Sequence, residues 1–239
     1  MKRISASFSD TSIRSIYDFK QLLGSGSFGD VRVGAFKREP EATVAIKSIH
    51  RRNIADEDIR FLEEELTVLQ TLDHPNIVNF RQCFIDKNYI HIVMEHIKGR
   101  SLLKYFENSE HFTESNAAVI MRKMLLAVQH LHNKGIVHRD LKPENFVMEE
   151  AGNGSNPEVK LIDFGYAKRF RQNKKLSRIA SDVGTPEYIA PDVFTGDYDS
   201  ACDIWSLGVI LFYLLSGEMP FAGETYDELF TNIKEQELQ

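Results

Sequence analysis

The spacing of apolar residues changes once along the chain, near Glu95, and this change limits the possible folds. From Tyr17 to Glu95 apolar and polar residues mostly alternate, which is typical of half-buried strands. Beyond it, apolar residues recur every three or four positions over 114–134, which predicts a helix. Asp203 to Ser216 is apolar all round, which predicts a helix buried on every side. The sequence therefore predicts a β-rich first part and a mainly helical second part.

Residues 1–16 are rich in Ser and Thr and have no apolar periodicity, so they are predicted to form a flexible leader. The β-rich part is expected over 17–95 and the helical part over 96–239. One helix is expected inside the β-rich part, over 56–72, because its apolar residues recur at helical spacing. The polar run 149–157 is expected to be an exposed hairpin tip.

Composition limits the classes of function. The 239 residues are 42% hydrophobic and 27% charged, which is enough apolar material for a core, and the net charge of −6 argues against nucleic-acid binding. The longest apolar run, Leu207 to Leu215, is about half of the ~20 residues that a membrane span needs. Cys83 and Cys202 are in no metal or redox spacing, so a reducing, cytoplasmic location is expected.

The segment Gly24-Ser25-Gly26-Ser27-Phe28-Gly29 fits the pattern G-x-G-x-x-G, which is weak evidence alone. In a dinucleotide-binding fold such a loop opens a helix, but here the following residues alternate as in a strand. That context favours a glycine-rich hairpin over the phosphates of a nucleotide, because backbone N–H groups approach oxygen closely where Cβ atoms are missing. An ordinary hairpin turn is the alternative.

Val44-Ala45-Ile46-Lys47 places a lysine on the next apolar strand. A lysine on a strand is usually a solvated edge residue, whereas a buried one needs a counter-charge. Glu65, in the predicted helix, has the right phase to face the core and supply that charge. Glu63 and Glu64 are the competing assignments.

The segment His138-Arg139-Asp140-Leu141-Lys142-Pro143-Glu144-Asn145 is followed, eighteen residues after Asn145, by Asp163-Phe164-Gly165. These residues match the catalytic loop and the metal-binding triplet of protein kinases. From Tyr17 to its last residue the chain resembles the eukaryotic protein kinase family. The resemblance implies an α+β bilobal fold with a small β-rich N-lobe and a mainly helical C-lobe. It also implies a serine/threonine kinase that uses ATP and Mg²⁺, with Mn²⁺ as the alternative ion, and a protein as substrate.

The resemblance assigns roles in the catalytic loop. Asp140 is expected to be the catalytic base, and Asn145 and Asp163 are expected to hold Mg²⁺. Lys142 is expected to neutralise charge on the moving phosphoryl group, and a lysine at this position is typical of serine/threonine kinases. Thr185 is expected to form a hydrogen bond near Asp140 and Lys142.

The resemblance also assigns the nucleotide site. Lys47, paired with Glu65, is expected to hold the α- and β-phosphates. The adenine is expected between Val31 and Ala45 on one side and Val147 on the other, beside the backbone of 95–97. The full set of expected nucleotide contacts is Gly24, Ser25, Gly26, Ser27, Phe28, Gly29, Val31, Ala45, Lys47, Met94, Glu95, Ile97, Glu144, Val147 and Asp163.

Supporting roles follow from the same resemblance. Asp203 is expected to anchor the backbone of the catalytic loop. Phosphorylated Ser181 is expected to bind Arg139 and Lys168. Tyr166, directly after the metal-binding triplet, favours serine over threonine as the acceptor. The residues expected to form a stacked hydrophobic column are Leu69, Phe80, His138 and Phe164. Glu144 and Glu218 are the candidates for reading a substrate arginine.

Within the family, segments such as Asp203-Ile204-Trp205-Ser206-Leu207-Gly208 look most like calmodulin-dependent and calcium-dependent kinases. The chain contains no EF-hand loop, so any calcium sensor is expected outside it. The resemblance stops before the family's last helices, and part of the apolar 204–215 helix is therefore expected to be exposed. A pseudokinase that binds ATP as a scaffold is the alternative function.

Overall fold

The computed structural model describes residues 8–9, 12–26, 29–53, 66–108, 112–149, 157–170, 176–177 and 185–235. The chain forms two compact units. The first comprises Met1–Asp73 and Val78–Lys98, and the second comprises His74–Ile77 and Gly99–Gln239. The division thus lies three residues after the predicted one at Glu95, and four residues inside the predicted N-lobe belong to the second unit.

The first unit is built on a six-stranded sheet. Its strands are β1 (Phe8–Ser9), β2 (Tyr17–Gly26), β3 (Gly29–Phe36), β4 (Glu39–His50), β5 (Phe80–Ile85) and β6 (Tyr89–Glu95). The order across the sheet is β1-β5-β6-β4-β3-β2. All neighbours are antiparallel except β1 and β5, which are parallel. This confirms the predicted β-rich character of the first part.

Residues 13–16, at the end of the predicted flexible leader, form a helix, whereas residues 1–7, 10 and 11 lie outside the described residues. Helix α1 (Ile13–Ile16) follows β1, and the side chain of Ile13 is only 3% exposed. Ile13 packs in an apolar cluster whose other buried members are Tyr17, Val44, Ile46, Phe84 and Val93. Residues 13–16 are therefore fixed by packing against the sheet, and the Ser- and Thr-rich composition concealed this contact.

Only the end of the predicted helix 56–72 lies among the described residues. Residues 66–69 are helical, and the side chains of Leu66, Leu69 and Leu72 are buried, as their spacing predicts.

The second unit is mainly helical, as predicted. Its helices are α2 (Leu102–Glu107), α3 (Glu114–Asn133), α4 (Pro191–Thr195), α5 (Ala201–Ser216) and α6 (Tyr226–Glu235). Helix α3 begins where the hydroxyl of Thr113 accepts a hydrogen bond from the backbone N–H of Asn116. Helix α5 ends at Gly217, whose φ of 78° is the left-handed conformation that glycine adopts most easily. No helix in the described part of the chain is long and apolar enough to cross a membrane.

The prediction that α5 is buried on every side is wrong. Ile204 and Leu215 are 49% and 52% exposed, because they border a groove of about 660 Å³ between α3 and α5. Among the described residues, nothing covers these side chains. The exposure agrees with the separate expectation that part of the 204–215 helix is uncovered.

Short strands join the helices of the second unit. They are β7 (Gly99–Ser101), β8 (Ile136–Val137), β9 (Phe146–Glu149), β10 (Glu158–Leu161), β11 (Lys168–Arg169), β12 (Leu176–Ser177) and β13 (Asp197–Tyr198). They form a three-stranded sheet, β10-β9-β7, and two pairs, β11-β8 and β12-β13. Strands β9 and β10 are the antiparallel arms of the predicted hairpin, and its tip, 150–156, lies outside the described residues.

The segment His74–Ile77 is attached to the second unit through β10. The side-chain amide of Asn76 is buried and donates to the backbone carbonyl of Val159 at 2.9 Å. The backbone carbonyl of Asn76 accepts from the N–H of Leu161, and Ile77 forms a parallel bridge with Leu161. These bonds explain why the two units are not contiguous in sequence.

Candidate active site

One face of the first unit's sheet collects four of the predicted nucleotide contacts. In the antiparallel register Val31 lies opposite Lys47, and Ala45 lies opposite Met94. Opposite residues in an antiparallel pair project to the same face, and so do residues two apart on one strand. Val31, Lys47, Ala45 and Met94 therefore share a face. The other face carries the apolar cluster around Ile46.

Lys47 is not a solvated edge residue. It lies on β4, which is hydrogen-bonded on both sides, to β3 and β6, and it is only 7% exposed. A buried ammonium requires compensating polar partners. Its predicted partner, Glu65, lies outside the described residues, as do the competing Glu63 and Glu64.

The glycine-rich segment is a hairpin between two strands, as predicted from the residues that follow it. Gly24 pairs with Val31, Ser25 with Asp30, and Gly26 with Gly29. Gly29 has a φ of 134°, and a Cβ there would lie 2.2 Å from the backbone oxygen of Ser48. A Cβ on Gly24 would meet no atom within 4 Å. Ser27 and Phe28, at the tip, lie outside the described residues.

The expected hinge begins at the end of β6. The backbone N–H of Glu95 donates to the carbonyl of Asn79, and the side chain of Glu95 accepts from the N–H of Asn79 at 2.8 Å. The N–H of Glu95 is thus already used within the first unit. Any adenine at 95–97 would bond other backbone groups of that segment, which also includes Ile97.

In the second unit, Asp203 anchors the catalytic loop, as predicted. Its carboxylate, which is fully buried, accepts from the backbone N–H groups of His138 and Arg139, both at 2.9 Å. It also lies 2.8 Å from Nε2 of His132. Arg139 has a φ of 70°, an unfavourable conformation for a residue with a side chain. The hydrogen bonds from these two backbone N–H groups to one buried carboxylate hold the loop in this conformation.

The catalytic loop brings four of the predicted catalytic side chains into one connected cluster. The side-chain amide of Asn145 donates to the backbone oxygen of Asp140 at 2.7 Å and to its Oδ2 at 3.1 Å. Nζ of Lys142 lies 3.2 Å from Oδ2 of Asp140 and donates to the hydroxyl of Thr185 at 3.1 Å. Asp140 and Asn145 are buried, whereas Lys142 is partly exposed. The expected hydrogen bond between Thr185 and Lys142 is therefore present.

Asp163 lies next to this cluster. The backbone N–H of Ile162 donates to the carbonyl of Asn145 at 2.9 Å. Asp163 follows Ile162 directly, so the backbones of the two expected metal ligands, Asn145 and Asp163, lie close together. Nε2 of His138 bonds to the backbone carbonyl of Asp163. The rings of His138 and Phe164 pack edge to face at 5.3 Å. These two residues are the half of the predicted stacked column that lies in the second unit; Leu69 and Phe80 belong to the first.

Helix α5 also holds the turn that carries Thr185. The hydroxyl of Ser206, one helical turn after Asp203, donates to the backbone carbonyl of Tyr188 at 2.7 Å. Tyr188 ends the 3₁₀ turn Pro186–Tyr188. One turn on the buried side of α5 therefore positions both the catalytic loop and the segment of Thr185.

Acidic side chains lie near this turn and affect the pKa of two tyrosines. Burial raises the pKa of the Tyr188 hydroxyl strongly, and Glu144, Tyr213 and Glu187 raise it further. The pKa of Tyr213 is raised by burial and then by Glu107 and Glu144. Glu144 is exposed, so its carboxylate can meet a positively charged group from solution.

The regulatory residues are only partly described. Lys168 lies on β11, paired with Val137, but Ser181 lies outside the described residues. Arg139 donates to the carbonyl of Tyr166 at 2.8 Å and to the hydroxyl of Tyr198 at 3.2 Å. The phosphate-binding role of Arg139 and Lys168 stays a prediction.

Sequence reasoning gave no role to His132 and Tyr198, which both contact the machinery of the catalytic loop. Their partners are Asp203 and Arg139, 71 and 59 positions away in sequence. Nothing in the local pattern around either residue signals these contacts. The one available signal was that a buried carboxylate such as Asp203 needs several donors.

Comparisons with known proteins agree with the geometry. The protein kinase domain family model matches residues 17–239. Serine/threonine-protein kinase 33 of Bos taurus is 36% identical over 231 residues, 95% of this chain and 47% of that protein. Myosin light chain kinase A of Dictyostelium discoideum is 36% identical over 226 residues, 94% of this chain and 75% of that protein. Calcium-dependent protein kinase 4 of Plasmodium berghei is 40% identical over 211 residues, 87% of this chain and 39% of that protein.

The chain spans about half the length of the first of these relatives. The match nevertheless extends over nearly the whole of this chain, and it includes every motif from the glycine-rich hairpin to α6. The chain belongs to the protein kinase family.

Proposed function

We propose that this chain is the catalytic domain of a serine/threonine protein kinase that transfers the γ-phosphoryl group of ATP to a hydroxyl of a protein substrate. The observation that carries the proposal is the connected cluster of Asp140, Lys142, Asn145 and Thr185, with Asp163 beside it. Each member has the chemistry that phosphoryl transfer needs, and no covalent enzyme intermediate is required.

Asp140 is the proposed base. Lys142 and Asn145 both bond its Oδ2, which fixes the orientation of the carboxylate. A substrate hydroxyl that donates to this carboxylate is oriented for attack, and its proton moves to Asp140 late in the transfer. Lys142 also places a positive charge where negative charge develops on the transferred group. The hydroxyl of Thr185 accepts a hydrogen bond from this ammonium and so helps to fix its position.

Asn145 and Asp163 are the proposed metal ligands. Amide and carboxylate oxygens are the hard ligands that Mg²⁺ and Mn²⁺ prefer. The Asn145 amide nitrogen donates to Asp140, so its oxygen is the atom left to face a cation. No group of three or more acidic, His or Cys side chains in the described part of the chain would hold a metal by itself. Such a cation would therefore take further ligands from phosphate oxygens and water, and it would neutralise their charge.

The first unit is the proposed nucleotide-binding surface. Lys47 would bond the α- and β-phosphates, the glycine-rich hairpin would cover them, and Val31, Ala45 and Met94 would contact the adenine from one sheet face. Glu144 and Val147 remain proposed contacts from the second unit, together with Asp163.

The substrate is proposed to present serine near a basic side chain. Tyr166 favours serine over threonine. Glu144, whose carboxylate helps to raise the pKa of Tyr188 and Tyr213, and Glu218 are the two proposed candidates for reading an arginine. Calcium control is proposed to depend on a sensor outside this chain, by analogy with the named calcium-dependent relatives.

The test compares wild-type protein with Asp140→Asn. Phosphorylation of a serine peptide by Mg-ATP is expected to fall by about 10²–10⁴-fold in the variant, the range for loss of a general base. Binding of Mg-ATP, measured by calorimetry, is expected to be retained. Asp18→Asn, an exposed acid in the first unit, is the matched control and is expected to keep full activity.

A wild-type protein that binds Mg-ATP but transfers no phosphoryl group would support the pseudokinase alternative. A protein that binds no nucleotide at all would contradict both functions.

A further inference from the structure

Tyr198 lies in the core of the second unit beside the catalytic loop. It is a residue of β13, and its side chain is only 2% exposed. Its ring packs in a cluster whose other buried members are Val137, Ala190, Val193 and Cys202. Val137 directly precedes the catalytic loop, so packing fixes the ring of Tyr198 close to that loop. The position of its hydroxyl is therefore fixed as well.

The hydroxyl of Tyr198 bonds a residue that is already under strain. Nη1 of Arg139 donates to it at 3.2 Å, and Nε of Arg139 donates to the backbone carbonyl of Tyr166 at 2.8 Å. The backbone of Arg139 has a φ of 70° and is held by Asp203. Arg139 is thus fixed at both ends, by a carboxylate at its backbone and by two oxygen acceptors at its guanidinium.

We propose that Tyr198 is a positioning residue for catalysis, whose hydroxyl holds the guanidinium of Arg139 against the carbonyl of Tyr166 and thereby sets the backbone that carries Asp140. This inference rests on the proposed kinase function. Arg139 precedes Asp140 directly, so a change in its conformation moves the attachment point of the base. Tyr166 follows Asp163 by three residues, so the same guanidinium ties the base to the segment of a proposed metal ligand.

The chemistry of the hydroxyl suits this role. Burial raises the pKa of Tyr198 although the neighbouring Arg139 lowers it, so the hydroxyl is neutral at physiological pH. A neutral oxygen accepts from a guanidinium without the desolvation cost of a second buried ion. A phenylalanine would keep the packing of the ring but would remove this acceptor.

The strand of Tyr198 also meets the segment that follows the metal-binding triplet. In β12, Leu176 pairs with Tyr198, and Ser177 pairs with Asp197. Tyr198 therefore joins this segment through its backbone and the catalytic loop through its hydroxyl.

The test is a double-mutant cycle in the intact protein. Tyr198→Phe is expected to lower kcat about tenfold, the factor that loss of a hydrogen bond to a charged group worth ~1.4 kcal/mol would give. The KM for ATP is expected to stay within about twofold, since the nucleotide face of the first unit is untouched. In an Arg139→Ala background the same substitution is expected to change kcat less than about twofold, because its partner is gone.

Tyr17→Phe is the matched control. Tyr17 is equally buried, and its hydroxyl accepts from the side-chain amide of Gln82 at 2.8 Å in the first unit. Its loss is expected to lower the melting temperature about as much as the loss of the Tyr198 hydroxyl, with kcat unchanged. An equal fall of kcat in both single variants would reduce Tyr198 to a contributor to stability and overturn the proposal.

A second readout does not depend on activity. The Nε–H of Arg139 is expected to exchange slowly with water in wild-type protein and rapidly in Tyr198→Phe, as followed by NMR. If wild-type protein transfers no phosphoryl group, the kinase proposal fails, and the exchange rate still shows whether the Tyr198 hydroxyl holds the Arg139 guanidinium against the carbonyl of Tyr166. Unchanged exchange, or an equal loss of kcat with and without Arg139, would overturn the proposal.

Discussion

His91 lies buried in β6 between two hydrogen-bonding partners. Its Nδ1 is 2.8 Å from the hydroxyl of Ser48, and its Nε2 is 3.2 Å from Oδ2 of Asp86. Burial lowers the pKa of His91 below its ordinary value of 6.5. Asp86 raises this pKa in part, and Arg14 lowers it further. The folded protein therefore disfavours protonated His91 more than the unfolded chain does.

This shift predicts a loss of stability in mild acid. A base whose pKa is lowered on folding leaves stability intact above its unfolded pKa of 6.5, and stability falls as pH drops toward the folded pKa. Urea unfolding of wild-type protein is therefore expected to give a lower free energy of unfolding at pH 5.5 than at pH 7.5. His91→Gln is expected to show a smaller difference between these two pH values.

Titration of Asp86 does not contribute to the difference in stability between pH 5.5 and pH 7.5. Its pKa is below its ordinary 3.8: burial raises it, but the N–H groups of Asn88 and Tyr89 and the nearby His91 lower it more. Its contribution to stability is thus lost only at more acidic pH. An equal pH dependence in wild type and His91→Gln would refute the assignment.

The hairpin of β2 and β3 separates two roles of glycine. Gly29→Ala is expected to destabilise the protein by about 1–3 kcal/mol, because its φ is positive and its Cβ would meet the Ser48 carbonyl. Gly24→Ala meets no atom and is expected to leave the melting temperature nearly unchanged. If the hairpin covers phosphates, Gly24→Ala is expected to raise the KM for ATP several-fold. Thermal melts and ATP titrations of both variants check this, and an unchanged KM in a stable Gly24→Ala protein would contradict the proposed phosphate contact.

Long elements with strong periodicity were predictable from sequence, and very short ones were not. Helix α3, Glu114–Asn133, agrees with the predicted 114–134, since twenty residues of helical spacing give an unambiguous pattern. Two-residue strands such as β12 and β13 have no period to detect. The burial of Ile13 was missed for a related reason, because the few apolar residues of this polar segment recur at no regular spacing.

The motif residues of the site were predictable because they are contiguous, whereas their supports were not. Asp140, Lys142 and Asn145 lie within six residues of one another, and the structure joins them. His132 and Tyr198 approach the same loop from distant positions, through contacts that only the tertiary fold creates.

At the scale of the whole molecule, the backbone passes from the first unit into the second for four residues and then continues in the first. His74–Ile77 belongs to the second unit, although the residues on both sides belong to the first. The sequence does not predict that these four residues belong to the second unit, because their attachment depends on the hydrogen bonds between Asn76 and β10.

Asn76→Ala tests the importance of this attachment. The substitution leaves the buried carbonyl of Val159 without its side-chain donor, and we expect a loss of about 1–3 kcal/mol in the free energy of unfolding. Asn79→Ala is the matched control, since its bonds to Glu95 use backbone groups that alanine keeps. Denaturant unfolding of both variants measures the difference. Equal stability of the two would show that the Asn76 amide contributes little.

Asp203 and Ser206 lie one turn apart on α5, and between them they bond the amides of His138 and Arg139 and the carbonyl of Tyr188. Substitutions elsewhere on the buried side of α5 that rotate or slide this helix would carry both attached segments along together. Such distant changes would move Asp140 and Thr185 together and would preserve the distance between them. A substitution in only one of the two attached segments would instead change that distance.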